Sequence, residues 1–351
     1  MAKYPKGIKK TYTPKLKQGR VRKRDNPDVY VLRCLLQASP HYVSGNHLAE
    51  KLKMSRVGVW AHVDKLRKAG LSIEASQNRG YRLAGEPDLL VSPLLEAWLK
   101  ECKTDCPFYL LQKTDSTNSE AERLLAEGTE TPFAVLSHQQ DSGRGRMGRT
   151  WHSPKGGNLY LSIALRPNVE LVKFRNFTLW QGISIGKYLK DFTGIQNLLV
   201  KWPNDLICDN KKLGGMLTEA SIDCDQVRSM VFGFGLNVNS KLGDFPKDLR
   251  DSSTSLLAAS GISWRLHELA AKLIKTCLVA SRECLGKDAD TKLLKEWETM
   301  DYLKGKKIKV QSGKETYIGR ADGIDHSGGL RLKLRNGRDR VAHAGEVSLL
   351  L

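Results

Sequence analysis

The 351-residue sequence contains no apolar run that approaches the ~20 residues needed for a membrane-spanning helix. Its N-terminus also lacks the apolar core of a secretory signal. From these absences we expect a cytoplasmic protein with no membrane partner.

A disulfide framework is also not indicated. The seven cysteines are odd in number and scattered, as reduced thiols in cytosol are, and their positions are 34, 102, 106, 208, 224, 277 and 284. Cys102 and Cys106 alone cannot form a zinc site, so we predict no resident metal ligated by protein side chains.

Acidic residues are scarce relative to basic ones. The chain has 57 Lys and Arg against 38 Asp and Glu, a formal charge of +19, which points to a polyanionic partner. Residues 1–24 hold ten Lys or Arg and no acid, so we predict a flexible basic tail over 1–25. Its role is either solubility or additional phosphate contacts to nucleic acid.

The chain is too long for one ordinary core. Composition divides it into a helical segment over 26–84, a linker over 84–93, a segment of alternating strands and helices over 94–300, and a strand-rich end over 301–351. The predicted class is a multidomain α+β protein with a mixed α/β centre. Alternating apolar residues and the Asn336-Gly337 turn predict a C-terminal SH3-like β-barrel.

The segment 26–84 has the pattern of a winged helix-turn-helix. Asn26 with Pro27, Ser44 and Ser55 are N-terminal signals for three helices. In the third helix the apolar residues Val57, Trp60, Val63 and Leu66 recur at intervals of three, and LSIEA, QNRG and YRL predict a strand, a turn and a strand.

In a winged helix the third helix enters the major groove of DNA. The candidate DNA-binding residues are Ser55, Arg56, Val57, Gly58, His62 and Lys65 on this helix, and Asn78 and Arg79 at the wing tip. The alternative is a helical bundle with a solvated basic face. The adjoining basic tail favours DNA binding.

Residues 143–149, GRGRMGR, satisfy the dinucleotide-binding template G-x-G-x-x-G. That template needs a helix directly after the glycines and an acidic residue about 20 positions further on. Here Pro154, Gly156 and Gly157 prevent a helix, a strand-like NLYLSIAL follows, and the region around Asn168 offers only Glu170. The match to the template is a coincidence of spacing.

The same loop places Arg144, Arg146 and Arg149 on a glycine-rich backbone, where they repel one another. We expect the loop to be mobile when empty and to become ordered on an anionic ligand. The alternative is an exposed basic turn that contacts nucleic acid. The nearby Trp151 and the motifs that follow favour a small anion.

Five motifs together resemble those of the biotin protein ligases. They are DSTN (115–118), QDSGRGRMGRTW (140–151), KWPND (201–205), KLGG (212–215) and GFGLN (233–237). The resemblance covers about residues 26–351 and is to the bifunctional type, which is also the biotin operon repressor. Lipoate ligases share a related catalytic fold but differ in these stretches.

The resemblance implies a two-step reaction. Biotin and ATP give biotinyl-5′-AMP and pyrophosphate, and a lysine of the biotin carboxyl carrier protein of acetyl-CoA carboxylase then accepts biotin. Fixed cations and Mg²⁺ suffice for such phosphoryl chemistry. The implied catalytic residues are Lys201, Arg144 and Arg146.

The resemblance also implies the ligand contacts. Those to biotin are Ser116, Thr117, Asn118, Gln140, Arg144, Gly145, Arg146 and Lys201, and those to ATP or the adenylate are Arg146, Arg149, Trp151, Lys201, Lys212, Gly215 and Asn237. Thr117 and Glu120 also have the spacing of a capping box at a helix start, which leaves Ser116 without a structural explanation.

The fused winged helix suggests a hypothesis of regulation. Biotinyl-AMP would order the loop 143–151 and favour a homodimer that binds operator DNA in two half-sites. Two alternatives remain: a regulator that senses a small molecule without catalysis, and a ligase whose DNA-binding domain serves another purpose, such as guarding the active site.

Overall fold

The computed structural model describes residues 26–350, so the predicted basic tail lies outside the described residues. The chain begins with three helices followed by an antiparallel hairpin. These elements are α1 (Pro27–Ala38), α2 (Gly45–Leu52), α3 (Arg56–Lys68), β1 (Ser72–Ser76) and β2 (Gly80–Gly85). This is the predicted order of a helix-turn-helix with a wing.

The helix starts follow the predicted capping signals with one difference. The Asn26 side chain accepts from Asp28 N at 3.1 Å, and Ser55 Oγ accepts from Gly58 N at 3.1 Å. Ser44 occupies the N-cap of α2 but makes no side-chain capping bond. Ser44 therefore begins α2 with an extended backbone, and its hydroxyl does not cap the helix.

The buried face of α3 differs from the interval-of-three pattern. Val59, Val63 and Leu66 are buried, whereas Val57 is 74% exposed and Trp60 is 54% exposed. An α-helix has 3.6 residues per turn, so spacings of four and three return to one face and a run of threes drifts off it. Val57 and Trp60 consequently lie outside the core of this domain.

Helix α4 (Ser92–Glu101) joins the helix-turn-helix to the rest of the molecule. Leu94 and Ala97 pack in the helix-turn-helix core, and Leu95 and Leu99 pack in the central core. Each such buried leucine contributes about 1.5–3 kcal/mol. The helix therefore fixes the two cores to each other through opposite faces.

Two histidines hold the segment that was predicted as a linker. His267 is fully buried, and its Nε2 accepts from Val91 N at 2.8 Å while its Nδ1 lies 3.0 Å from a Glu86 carboxylate oxygen. The Nε2 of His138 lies 2.9 Å from Leu90 O. Because Glu86, Leu90 and Val91, which precede α4, are all held in this way, residues 86–91 are not a free tether.

The centre of the molecule is one mixed sheet with strand order β3-β4-β5-β10-β9-β8-β7, to which β6 adds by pairing with β10. Among the strands of this sheet described within 26–350, β3 and β4 are the one parallel pair. The strands are β3 (Phe108–Leu111), β4 (Phe133–Ser137), β5 (Leu159–Leu165), β6 (Val169–Glu170), β7 (Leu198–Lys201), β8 (Asp205–Cys208), β9 (Lys211–Asp223) and β10 (Gln226–Leu236). The predicted hairpin from LIC through DNKK to LGGML is β8–β9.

Six helices accompany the sheet. They are α5 (Thr117–Ala126), α6 (Leu171–Phe174), α7 (Phe177–Thr193), α8 (Leu256–Ser260), α9 (Leu266–Glu283) and α10 (Ala289–Met300). Helices α7 and α9 contribute long apolar faces to the central core, as the pattern of Leu269, Leu273 and Cys277 predicted. No α-helix follows the glycines of the loop 143–149, which excludes the dinucleotide-binding turn.

The C-terminal strands form an antiparallel sheet in the order β14-β13-β12-β11-β15. They are β11 (Lys307–Ser312), β12 (Glu315–Ile324), β13 (Leu330–Leu334), β14 (Asp339–Ala342) and β15 (Glu346–Leu349). The predicted barrel is not closed, because β14 and β15 lie at opposite ends of the sheet. Its apolar face, including Ile308, Val310 and Leu332, continues the central core.

All seven cysteines are free thiols, as predicted. Burial raises the pKa of Cys106, Cys208 and Cys284 to about 12, so these thiols stay protonated at neutral pH. Within residues 26–350, no helix combines the length and the apolar character needed to cross a bilayer.

Candidate functional site

A cleft of about 610 Å³ opens beside strands β7, β9 and β10 of the central sheet. Every residue predicted to contact biotin or the adenylate lines it: Ser116, Thr117, Asn118, Gln140, Arg144, Gly145, Arg146, Arg149, Trp151, Lys201, Lys212, Gly215 and Asn237. These residues come from five separate stretches of sequence. The fold therefore brings the motifs together in one place, which is a necessary condition for the roles predicted for them.

Glycines on β10 form part of the cleft floor because neighbouring side chains rest directly on the backbone. A Cβ at Gly233 would lie 2.2 Å from Asn118 Oδ1, and one at Gly235 would lie 2.4 Å from Trp151 Nε1. Any side chain here would displace Asn118 or Trp151, since packed interiors have no room for an added carbon at such distances.

The start of α5 forms one end of the cleft. Asn118 is buried and is held by Ser162 Oγ, which donates to its Oδ1 at 2.6 Å, and by Glu219 Oε2, which accepts from its Nδ2 at 2.7 Å. Thr117 donates to Gln140 Oε1 from both its backbone N and its hydroxyl, at 2.8 and 3.1 Å. These bonds fix a small polar pocket.

The predicted capping box is wrong. The N-cap of α5 is Ser116, which makes no side-chain capping bond, and Thr117 is the first helical residue. Glu120 instead accepts from Arg123. Arg123 also lies on Asp115, and this guanidinium holds the pKa of the Asp115 carboxyl well below its usual range. The Asp115 side chain supports the turn through Ser116 N at 2.7 Å.

The loop 143–151 folds back on itself. Gly145 N donates to Arg149 O at 2.7 Å and Trp151 N donates to Gly143 O at 2.8 Å, while Met147 and Gly148 turn the chain at positive φ of 56° and 73°. At Gly143 a Cβ would lie 2.5 Å from Trp151 O, so only glycine allows this close return of the strand.

Each loop arginine faces a different element. Arg144 Nη2 lies 2.8 Å from Glu219 Oε2 and also reaches Glu122 at 3.4 Å. Arg149 forms an ion pair with Glu346 of β15. Arg146 is half-buried whereas Arg144 and Arg149 are exposed, and within the described part of the chain its side chain makes one weak contact, 3.5 Å to Asn204 Oδ1. The expected mutual repulsion is relieved by these carboxylates, which sequence reasoning missed.

Lys201 ends β7 and points its charge at the cleft without an ion-pair partner among residues 26–350. Burial lowers the pKa of the Lys201 ammonium, and the neighbouring Lys212 and Arg149 lower it further, against the opposing effect of Asp205. Burial likewise lowers the pKa of Arg146, although an arginine stays charged. Two partly desolvated cations therefore face the same cleft, an arrangement that favours an anionic ligand.

The remaining predicted residues lie around these cations. Lys212 Nζ lies 2.8 Å from Asp205 Oδ1 and 5.5 Å from the centre of the Trp151 ring. Trp151 Nε1 is buried and has no hydrogen-bond partner in the described part of the chain. Asn237 is buried, and its Nδ2 donates to Thr254 O at 3.0 Å.

The cleft carboxylates are Asp205 and Glu346, and no group of three His, Cys, Asp or Glu suited to a metal ion occurs within 26–350. Asp205 stands in the KWPND motif, which the sequence analysis had singled out, whereas Glu346 lies outside the five motifs. Glu219 carried no such signal, since it lies on β9 outside every motif.

The predicted DNA-binding residues lie on α3 and the wing. Arg56 is exposed, Ser55 is occupied as a cap, and Arg79 stacks 4.4 Å from the centre of the Tyr42 ring. His62 Nδ1 and Lys65 Nζ lie 2.6 and 2.5 Å from the two carboxylate oxygens of the buried Asp28. Their role in DNA binding stays a prediction, and the structure gives both a second role in joining α3 to α1.

Three family models match the chain. "Biotin/lipoate A/B protein ligase family" matches residues 110–237, "HTH domain" matches 30–82, and "Biotin protein ligase C terminal domain" matches 305–350. The bifunctional ligase/repressor BirA of Bacillus subtilis is 32% identical over 309 residues, 88% of this chain and 94% of that protein.

The chain belongs to the biotin protein ligase family. BirA of Escherichia coli is a further relative of this ligase, 30% identical over 326 residues, 93% of this chain and 98% of that protein. Among solved structures, the Aquifex aeolicus biotin protein ligase in complex with biotin and ATP aligns with a TM-score of 0.58 and 28% identity, over 70% of this chain and 98% of that one. The predicted ligase with an N-terminal DNA-binding domain is confirmed, and the non-catalytic sensor is not supported.

Proposed function

We propose that the ligase activates biotin with ATP and transfers it to a lysine of biotin carboxyl carrier protein. In the first step a biotin carboxylate oxygen attacks the α-phosphorus, the bond to the β-phosphate bridging oxygen breaks, and pyrophosphate leaves. In the second step the lysine amine attacks the biotinyl carbonyl, AMP leaves, and the amine loses a proton. The observation that supports this is the convergence of Lys201 and Arg146 in one cleft.

In our proposal Lys201 bridges the biotin carboxylate and the α-phosphate. A preorganised cation in a desolvated site stabilises negative charge more strongly than one in water, and it gains most where charge concentrates in the transition state. Lys201 meets this requirement because it is partly buried and has no ion-pair partner among residues 26–350. Arg144 and Arg146 bind the carboxylate and the phosphate, and Arg144 leaves Glu219 to do so.

The polar pocket at the start of α5 is the proposed site for the neutral head of biotin. Ser116, Thr117 and Asn118 present hydroxyl, amide and helix N-terminal groups there, and Gln140 lies along the ligand with Gly145 opposite. The adenylate side is formed by Arg149, Trp151, Lys212, Gly215 and Asn237. Trp151 covers this side, and Asn237 binds adenine.

Mg²⁺ fits this cleft as an ion carried by the nucleotide. It is commonly held by one or two carboxylates together with substrate phosphates, so a cage of three acidic residues is not needed. Asp205 is the residue that we expect to hold it. When bound, Mg²⁺ neutralises phosphate charge.

The predicted segments divide the work in this proposal. Residues 26–84 bind operator DNA, 94–300 bind biotin and ATP, and the SH3-like end, 301–351, helps to hold ATP and the carrier protein. The ion pair between Arg149 and Glu346 supports a role for the last segment, because it ties β15 to the ligand loop.

The ligase proposal is tested by two assays on the purified chain. With ATP and Mg²⁺ we expect biotin, but not lipoate, to release pyrophosphate, and labelled biotin to appear on a purified carrier domain only when ATP is present. Pyrophosphate release with lipoate alone would reassign the substrate. An absence of release with either acid would contradict the proposed reaction.

The proposed regulation couples the ligand loop to dimerisation. Biotinyl-AMP replaces Glu219 and Glu346 as the partners of Arg144 and Arg149, and the loop 143–151, ordered on this ligand, then favours a homodimer through the central domain. We expect sedimentation to show a larger dimer fraction with biotin plus ATP than without them. Equal monomer populations in both samples would contradict this coupling.

Two criteria distinguish sequence-specific operator binding by the dimer from nonspecific DNA binding. A specific complex persists when unrelated duplex is added as competitor. Nonspecific binding through phosphate contacts has the same affinity for every sequence, and that affinity falls steeply as the salt concentration rises. A gel-shift titration across salt that shows no preferred sequence would favour the alternative in which the helix-turn-helix serves another purpose.

A further inference from the structure

We infer that Trp60 and Val57 read thymine methyl groups in the major groove, so that apolar contact supplies much of the sequence choice of this ligase on DNA. The inference rests on the proposed DNA binding and names the residues that give it specificity. It starts from the exposure of these two side chains, 54% and 74%, on the helix that a winged helix-turn-helix presents to DNA.

The polar residues of α3 are largely committed to the protein itself. Ser55 caps the helix, His62 and Lys65 hold Asp28, and Arg67 Nε donates to Ile73 O of β1 at 2.8 Å. Asp64 is paired with Lys68 at 2.7 Å. These bonds leave few hydrogen-bonding groups of this helix available for base edges.

The first half of the helix, which contacts bases in this motif, offers Arg56 and three apolar side chains: Val57, Trp60 and Ala61, all exposed. Trp60 lies seven residues before Arg67 and so shares its side of α3, the side that faces the wing. Trp60 therefore lies on the wing side of α3, outside the buried face formed by Val59, Val63 and Leu66, and stays 54% exposed.

The surroundings indicate DNA rather than a protein partner. Arg79 at the wing tip and Arg56 at the start of α3 are both exposed, Arg79 lies 4.4 Å from the centre of the Tyr42 ring, and the chain carries a net charge of +19. A positively charged face suits the phosphate backbone. The apolar group that duplex DNA presents in its major groove is the thymine methyl, which pairs with apolar side chains.

The test compares thymine with uracil, which lacks only that methyl. A duplex is selected from a random library on the full chain with biotin and ATP, and is then prepared with thymine or with uracil throughout. We expect wild-type protein to bind the uracil duplex about fourfold more weakly for each contacted methyl. Trp60→Ala should bind the thymine duplex about tenfold more weakly and lose most of the difference between the two duplexes.

Three further variants distinguish a lost thymine contact from weaker DNA binding caused by misfolding. Val57→Ala should reduce the thymine preference to a smaller extent. Arg79→Ala should weaken binding to both duplexes equally and lower the salt dependence, as a phosphate contact does. Val172→Ala, which truncates an exposed side chain of the central domain, should change neither, and every variant should keep wild-type ligase activity.

Equal wild-type binding of the two duplexes would overturn the inference, as would a Trp60→Ala protein that keeps the full preference, and either result leaves operator binding intact. Failure to select any sequence while the ligase stays active would overturn the operator proposal and, with it, this inference.

Discussion

Replacing Lys201 with alanine is expected to slow formation of biotinyl-5′-AMP by more than about 100-fold, the scale on which one preorganised electrostatic donor acts. The ammonium is enclosed at the end of β7 and has no carboxylate partner of its own in the described structure. The substitution therefore removes the positive charge that stabilises the transition state, and it leaves no buried carboxylate without an ion-pair partner. Pyrophosphate release under saturating biotin and ATP measures the effect.

Lys275→Ala is the matched control, because Lys275 is an exposed lysine on α9 away from the cleft. It should retain wild-type rate. A Lys201→Ala protein that releases pyrophosphate at more than a tenth of the wild-type rate would show that the arginines alone carry the charge.

The pH profile provides a second readout for the same residue. The pKa of Lys201 is lowered by burial, so its ammonium loses its proton at a lower pH than that of an ordinary lysine. Since the charged form is the active one, the rate should fall on the alkaline side, and this fall should begin earlier than an ordinary lysine would cause. Lys201→Arg, which stays charged, should lose that early fall whatever its residual rate.

The contacts that differed from prediction share a physical cause. The three loop arginines, Lys201 and Lys212 could be predicted as a group because each lies in a short motif that resembles those of the biotin protein ligases, and all five line the cleft. Glu219 and Glu346 could not be assigned, since each meets its arginine only after distant strands pair. Side-chain pairs across a fold are not encoded by local spacing.

Predictions from local sequence spacing were also wrong where a side chain forms a tertiary contact in place of the local one. The spacing of Thr117 and Glu120 fits a capping box, but Gln140 takes both donors of Thr117 and Arg123 takes Glu120. In α3, the interval-of-three pattern grouped Trp60 with Val63 and Leu66, yet the buried residues of this helix are Val59, Val63 and Leu66. Trp60 and Val57 lie three residues apart on the helix surface, so they form an exposed apolar patch rather than a single exposed side chain, and such a patch marks an interaction surface.

The C-terminal sheet also shows which features the sequence could not predict, here the arrangement of a whole sheet rather than a single contact. Its strands and its Asn336-Gly337 turn followed from alternation and turn chemistry. Its openness did not, because pairing between β14 and β15 depends on how the whole sheet curves. The sheet instead covers the central core and contributes Glu346 to the cleft.

Gly233→Ala is expected to raise the KM for biotin by about 30-fold or more while leaving the KM for ATP nearly unchanged. The new Cβ would lie 2.2 Å from Asn118 Oδ1, so Asn118 must leave Ser162 and Glu219. Overpacking of this kind costs about 1–3 kcal/mol, and the lost hydrogen bonds to ligand add to it. Steady-state kinetics with each substrate varied in turn measures the split.

The matched control is Gly243→Ala, since an added Cβ there meets nothing within 4 Å. It should leave both KM values unchanged. The double variant Gly233→Ala/Asn118→Ala separates crowding from ligand contact: removal of the Asn118 amide relieves the clash, so the melting temperature should recover relative to Gly233→Ala while the KM for biotin stays high. Recovery of both quantities would mean that Asn118 does not contact biotin and that the polar pocket at the start of α5 serves the fold alone.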